Sequence, residues 1–288
     1  MEKEERFRCP DHDIYISPST FEYREVAHNL LWNDKDDLRY LEQVLAGKTE
    51  SRMARERSED VITWNVFRYL QKHHHLHRFV KAFTGCLAYD PELIFWSYSP
   101  LEAGKWEALL RASHVFGERM GYGSEPDLII NSEDTLVFIE AKFTSGNETV
   151  GNSKDALIRY AEREDRWYDN VFTTDVWNVA VECKKYELMR YWLLGTWIAN
   201  EMGKHFVLMS LTAIDRDQDL PARFRPLIRE TDTREFRHTC WEEVRSFIHQ
   251  NLPPSEARNK VIQYLDGKTA GYVNGVLQKG FRCGGVIR

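Results

Sequence analysis

The sequence predicts an α/β fold with a mixed central sheet flanked by helices, and three observations carry that reading. Two almost continuously apolar runs, 127–131 and 135–143, are separated by the turn Ser132-Glu133-Asp134, as expected for neighbouring strands covered on both faces. Before them, SEDVITWNVFRYLQK from Ser58 has the signature of a helix start, with acids in the first turn and Ile62, Val66, Phe67 and Leu70 on one apolar face. After them, a long helical stretch over 184–202 leads into a third apolar run, 205–213. The middle of the chain therefore reads helix, strands, helix, strand.

The remaining elements follow in order. Residues 34–46 read as a helix, 91–98 as a strand and 105–112 as a short helix before the glycine-rich turn GYGSEP. Residues 144–183 begin rich in Ser, Gly, Asn and Thr and hold no clear period, which suggests an insertion or lid beside the site. Helices are expected over 241–250 and 259–277. The domain reading is a helical N-terminal addition over 1–57, a core over 58–213 and a mainly helical C-terminal extension over 214–288.

At 288 residues the chain can bury a substantial core. A net charge of −6 argues against a protein that coats nucleic acid indiscriminately, though a local basic surface on an acidic body remains compatible with a nucleic-acid enzyme. Charge is unevenly placed: residues 1–60 carry ten Lys/Arg against fifteen Asp/Glu, whereas from Arg258 onward six basic residues face Asp266 alone. Lys260, Lys268 and Lys279, interleaved with Tyr264, Tyr272 and Phe281, are thus candidates for a phosphate-contacting surface. The five cysteines form no Cys-x-x-Cys pair, which points to a reduced, cytoplasmic setting rather than a disulfide framework. The N-terminus has no signal-peptide core, and the longest apolar stretch, 191–199, is only about half of the roughly 20 residues that cross a bilayer. No membrane partner is expected.

Chemistry concentrates in Glu125-Pro126-Asp127, separated by twelve residues from Glu140-Ala141-Lys142. Strand side chains alternate faces, so Glu140 and Lys142 point the same way, with Leu136 and Phe138 behind them. Opposite charges on an apolar strand are costly to desolvate unless something pairs or uses them. Asp127, opening the adjacent strand, can bring a second carboxylate to the same place. Two hard oxygens suit Mg²⁺ or Mn²⁺, whose charge together with Lys142 would balance Asp127, Glu140 and a third acid.

Pro126-Asp127 followed across two strands by Glu140-x-Lys142 resembles the PD-(D/E)xK nuclease superfamily, whose fold is restriction-endonuclease-like. The resemblance spans about residues 58–213. It implies Asp127 and Glu140 as metal ligands with the carbonyl of Ala141 as another, and Lys142 as the water-positioning base or electrostatic stabiliser. Glu59, opening its helix, fits the family's acidic helix residue. In the second helix some members place a Gln-x-x-x-Tyr pair; this chain has Glu187 and Tyr191 there, and Arg190 or Tyr191 is a candidate phosphate contact. The implied function is Mg²⁺-dependent hydrolysis of nucleic-acid phosphodiesters, with DNA the favoured substrate, and the reading admits a homodimer.

Plainer readings stand beside these. Glu140 and Lys142 alone could be a same-face salt bridge, and Glu59 a first-turn acid favoured by the helix dipole. His73 and His77 have zinc-like spacing, but they follow a helix end where imidazoles are favoured electrostatically. Two other functional classes remain: a binding protein that keeps the nuclease fold without turnover, and a protein-interaction module. No nucleophile elbow or glycine-rich phosphate loop is present in the sequence.

Overall fold

The computed structural model describes residues 7–48, 51–118, 125–151 and 153–281. A seven-stranded mixed sheet forms its centre. Its strands are β4 (Glu92–Phe95), β5 (Tyr98–Ser99), β6 (Gly104–Lys105), β7 (Leu128–Asn131), β8 (Thr135–Ala141), β9 (His205–Thr212) and β10 (Arg234–Cys240), in the order β10-β9-β8-β7-β4-β5-β6. The β4, β7 and β8 strands pair antiparallel, whereas β8, β9 and β10 run parallel. A parallel step needs a crossover, and α7 (Tyr186–Met202) supplies it between β8 and β9.

Alternation on these strands builds two cores. On one face Val137, Ile139, Val207 and Met209 pack against α2 (Glu59–Lys72), α3 (Leu76–Thr84), α9 (Trp241–Asn251) and α10 (Glu256–Gly267). On the other, Leu136, Phe138, Phe206 and Leu208 pack against α4 (Glu107–Val115) and α7. Gly195 brings α7 close: a Cβ there would fall 2.1 Å from the Phe206 ring.

Several expectations are corrected. The N-terminal addition is not purely helical: β1 (Arg8–Cys9), β2 (Ile14–Ile16) and β3 (Phe21–Tyr23) form a small antiparallel sheet before α1 (Lys35–Leu45). Residues 259–277 are not one helix. The chain leaves α10 at Gly267 and turns into the hairpin β11 (Thr269–Val273) and β12 (Val276–Lys279). The sheet does not end near residue 213, because β10 adds its edge strand. The 144–183 segment, expected as an insertion or lid without clear period, packs into the body of the protein. It holds α5 (Lys154–Glu162), α6 (Trp167–Val171) and a π-helical turn, Asn178–Glu182, whose Leu157, Tyr160, Tyr168 and Val179 enter the α7-side core. The turn expected before Pro126 lies mostly outside the described residues, as do Arg282, Cys283 and Arg288. Among the described residues no helix is long and apolar enough to cross a membrane.

Candidate active site

The β7–β8 register pairs Leu128 with Ile139, so Asp127 stands one step before the ladder, beside Glu140. Asp127, Glu140 and Lys142 share the strand parity of Ile129, Leu136 and Phe138, which belong to the α7-side core. Both Asp127 oxygens accept a hydrogen bond. Oδ2 takes the Ala141 N–H at 2.9 Å, and Oδ1 takes the Trp96 indole N–H at 3.2 Å. The Asp127 carboxylate thus supplies the acceptor for the Ala141 N–H, just beyond the last backbone pair of β7 and β8.

Trp96 reaches that position through the tight β4–β5 turn. Phe95 pairs with Leu128, so the turn lies beside Asp127, and the Trp96 N–H also donates to the Asp127 carbonyl at 3.1 Å. Trp96 and Ser97 sit at φ +44° and +67°, the left-handed pair that a two-residue hairpin turn demands. Large side chains rarely adopt it. The Lys48 ammonium lies 4.1 Å from the Trp96 ring centre and pairs with Asp60 at 2.5 Å.

On the neighbouring strand, Lys142 Nζ lies 2.5 Å from Glu140 Oε1 and 3.6 Å from Glu187 Oε2 at the start of α7. The Lys142 backbone is fixed from both sides: its N–H donates to the Leu211 carbonyl, and its carbonyl accepts from the Trp241 indole. Glu140 is 3% exposed, and its Oε2 is buried with no hydrogen-bond partner. Burial pushes the Asp127 carboxyl up to about 6, with Asp60 adding to the rise and Lys142 opposing it. Burial also raises Glu140 well above the usual carboxylate range, helped by Asp127 and opposed by Lys142. Lys142 rises because Glu140, Asp127 and Glu187 outweigh its desolvation, so it stays an ammonium.

No family model, curated protein or solved structure matches this chain.

The other candidate residues are placed as follows. Glu59 opens α2, and its Oε1 accepts from the Phe143 N–H at 2.9 Å and the Ser145 hydroxyl at 2.6 Å. It therefore grips the chain just beyond Lys142. Asp60, its neighbour, is the α2 acid that acts electrostatically on Asp127. Arg190 is 3% exposed and held by Glu118 at 2.7 Å and by the Tyr160 hydroxyl. The buried Tyr191 donates to the Glu125 carbonyl at 3.1 Å, supporting the approach to Asp127. Neither side chain of the pair offered as phosphate contacts is exposed.

The basic C-terminal surface is corrected at Lys268, which is 2% exposed and pairs with Glu56 at 3.2 Å. Lys260, whose ammonium donates to the Leu31 carbonyl, and Lys279 are the exposed lysines of the three. His73 caps α2 and His77 belongs to α3, so the zinc-like spacing spans two helices.

Sequence reasoning did not find Trp96 or Lys48. Trp96 meets Asp127 only through β4–β7 pairing, and no local pattern encodes that. Glu187 was visible as the acid in the Gln position, and its charge now faces Lys142.

Proposed function

We propose that this chain is a metal-dependent nuclease of the restriction-endonuclease-like type, hydrolysing nucleic-acid phosphodiesters, with DNA the favoured substrate. The observation that carries the reading is the meeting of Asp127, Glu140 and Lys142 at one sheet end, with a buried Glu140 oxygen left unpartnered. A purely structural ion pair has no use for that oxygen, because an unsatisfied buried acceptor costs about 1–3 kcal/mol. Support also comes from chain order: α2, the antiparallel strands β4, β7 and β8, then α7 and the parallel β9.

The donor set fits a hard divalent cation. Asp127 and Glu140 offer carboxylate oxygens, the Ala141 carbonyl lies between Glu140 and Lys142, and Mg²⁺ or Mn²⁺ favours such ligands. Bound there, the cation would polarise the phosphoryl oxygen and acidify an attacking water. The chain's own groups do the rest. Lys142, kept protonated by Glu140, Asp127 and Glu187, donates from Nζ to the attacking water or to a non-bridging phosphate oxygen and offsets negative charge as it develops. Asp127, locked by Trp96 and Ala141, holds its carboxylate in one orientation. Glu59 fixes the turn after Lys142, and so its reach.

Cleavage of DNA and RNA substrates with Mg²⁺ or Mn²⁺, run beside Lys142→Ala, tests the proposal. The variant is expected to lose about 10²–10³ in rate while keeping its response to the cation. No cleavage by the wild type on any substrate, or equal cleavage by both proteins, would overturn it.

A further inference from the structure

At the other end of the sheet lies a second cluster of metal-binding side chains. His205 opens β9, and Glu235 is the second residue of β10. Arg234 pairs with Phe206 across these parallel strands, so His205 and Glu235 are diagonal neighbours on one face. Cys86 reaches them from the segment after α3, which is pinned to the start of β8 by the Thr135 hydroxyl donating to the Leu87 carbonyl at 3.0 Å. Glu140 pairs with Ser210, five residues along β9 from His205, so the two clusters lie roughly 16 Å apart along the strand.

We propose that Cys86, His205 and Glu235 form a zinc site of three protein ligands. Their sulfur, nitrogen and oxygen donors all lie within 4.8 Å of one another. His205 Nε2 and Glu235 Oε1 are 3.7 Å apart. That is too long for a hydrogen bond, yet close to the roughly 3.3 Å edge of a tetrahedron built on zinc distances near 2.0 Å. The second observation is independent: His205 Nε2 is buried and bonds to nothing. Such an atom normally finds a partner, and a cation in the middle of the three donors supplies one. Arg237 holds Glu235 through its other oxygen, Oε2, at 2.6 Å, orienting the carboxylate as outer partners of metal ligands do. The Cys86 sulfur has only a weak 3.9 Å contact to the Thr84 carbonyl to give up.

Donor chemistry selects the ion. Thiolate and imidazole with one carboxylate suit Zn²⁺, whereas Mg²⁺ and Ca²⁺ take oxygen alone. On binding, the Cys86 thiol releases its proton to solvent, so affinity rises with pH. Three protein ligands leave a fourth position for water or a small exogenous ligand. The site ties the edge strand β10 to β9 and to the exit of α3.

The test titrates chelator-stripped protein with Co²⁺ and then Zn²⁺. One equivalent of Co²⁺ should produce a thiolate-to-metal charge-transfer band that Zn²⁺ abolishes, and Zn²⁺ should raise the melting temperature. Cys86→Ser should lose the band, and His205→Gln should weaken Zn²⁺ binding by more than roughly 10-fold, the lower end of what losing even an outer partner costs. Glu140→Gln and Cys183→Ser should keep the band, which separates this site from the carboxylate cluster. On the unaltered chain, Zn²⁺ should slow alkylation of Cys86, a reading that survives any failure of a variant to fold. No band with Co²⁺, a band that persists in Cys86→Ser, or alkylation indifferent to Zn²⁺ would overturn the proposal.

Discussion

Asp127 is uncomfortable when ionised in the metal-free protein. Its pKa lies at about 6, up from 3.8, chiefly through burial. The folded state therefore holds that proton more tightly than the unfolded chain does. The resulting stability is fully present below about 3.8 and is lost as pH rises through about 6, a change of at most about 3 kcal/mol. A divalent cation competes with protons for the same oxygens. Mn²⁺ should thus raise the melting temperature little at pH 5 and clearly at pH 7.5, and Glu140→Gln should remove most of that rise. Melts at the two pH values check this, and a rise that ignores pH would count against Asp127 and Glu140 as the ligands. At this scale the sequence was most informative: strand alternation and the twelve-residue spacing were enough to bring Asp127, Glu140 and Lys142 together. The indole above Asp127 and the lysine stacked on it come from elements far along the chain, and no spacing rule links them.

Helices and strands set the precision of the site. The start of α2 is doubly anchored, Glu59 to the chain beyond β8 and Asp60 to Lys48. Glu59→Ala would strip the acceptor from the Phe143 N–H and the Ser145 hydroxyl. Hydrogen bonds to a charged group contribute about 1.5–3 kcal/mol each, and some are replaced by water, so a net loss of roughly 2 kcal/mol is expected in denaturant melts. Glu59→Gln keeps one oxygen for the Phe143 N–H, and should retain most of the stability and the full Mn²⁺ response. If Glu59→Gln instead abolished that response as Glu140→Gln does, Glu59 would be a ligand rather than a positioning residue. Most elements were legible because a helix start or an apolar run marks them. The short strands β1–β3 were not, since two or three residues carry no period. The hairpin after α10 was hidden because Thr269, Ala270 and Tyr272 continue an apparently helical spacing. The helices within 144–183 were missed because their buried residues pack into a distant core instead of repeating on one clear stripe.

Across the whole molecule, the described segments before α2 and after β10 are sewn into the core on the sheet face opposite Asp127, Glu140 and Lys142. Leu30, Leu41, Val261 and Phe281 belong to the same apolar cluster as Val137 and Met209, so the terminal additions are part of one body with the sheet. The charge count of the C-terminal segment concealed this, because a lysine's sign says nothing of its burial. Lys268 is the clearest case. Its ammonium lies 3.2 Å from Glu56 Oε2 and 4.9 Å from the centre of the Tyr264 ring, and burial lowers its pKa from 10.5 to about 8 despite Glu56. The folded state thus binds this proton less tightly than the unfolded chain. Its contribution to stability is full above 10.5 and is lost as pH falls through about 8. Glu56 keeps other donors, the Thr269 N–H and hydroxyl, so removing the lysine does not leave the carboxylate bare. Comparing wild type with Lys268→Met between pH 8 and 10 isolates the effect, since ionisations elsewhere are common to both. The wild type should gain on the variant as pH rises, by at most about 3 kcal/mol over the window. A surface lysine facing phosphate would give no such trend, and its removal would weaken nucleic-acid binding instead. Parallel stability curves, together with a flatter salt dependence of DNA binding in the variant, would return Lys268 to the surface and detach the C-terminal segment from the core.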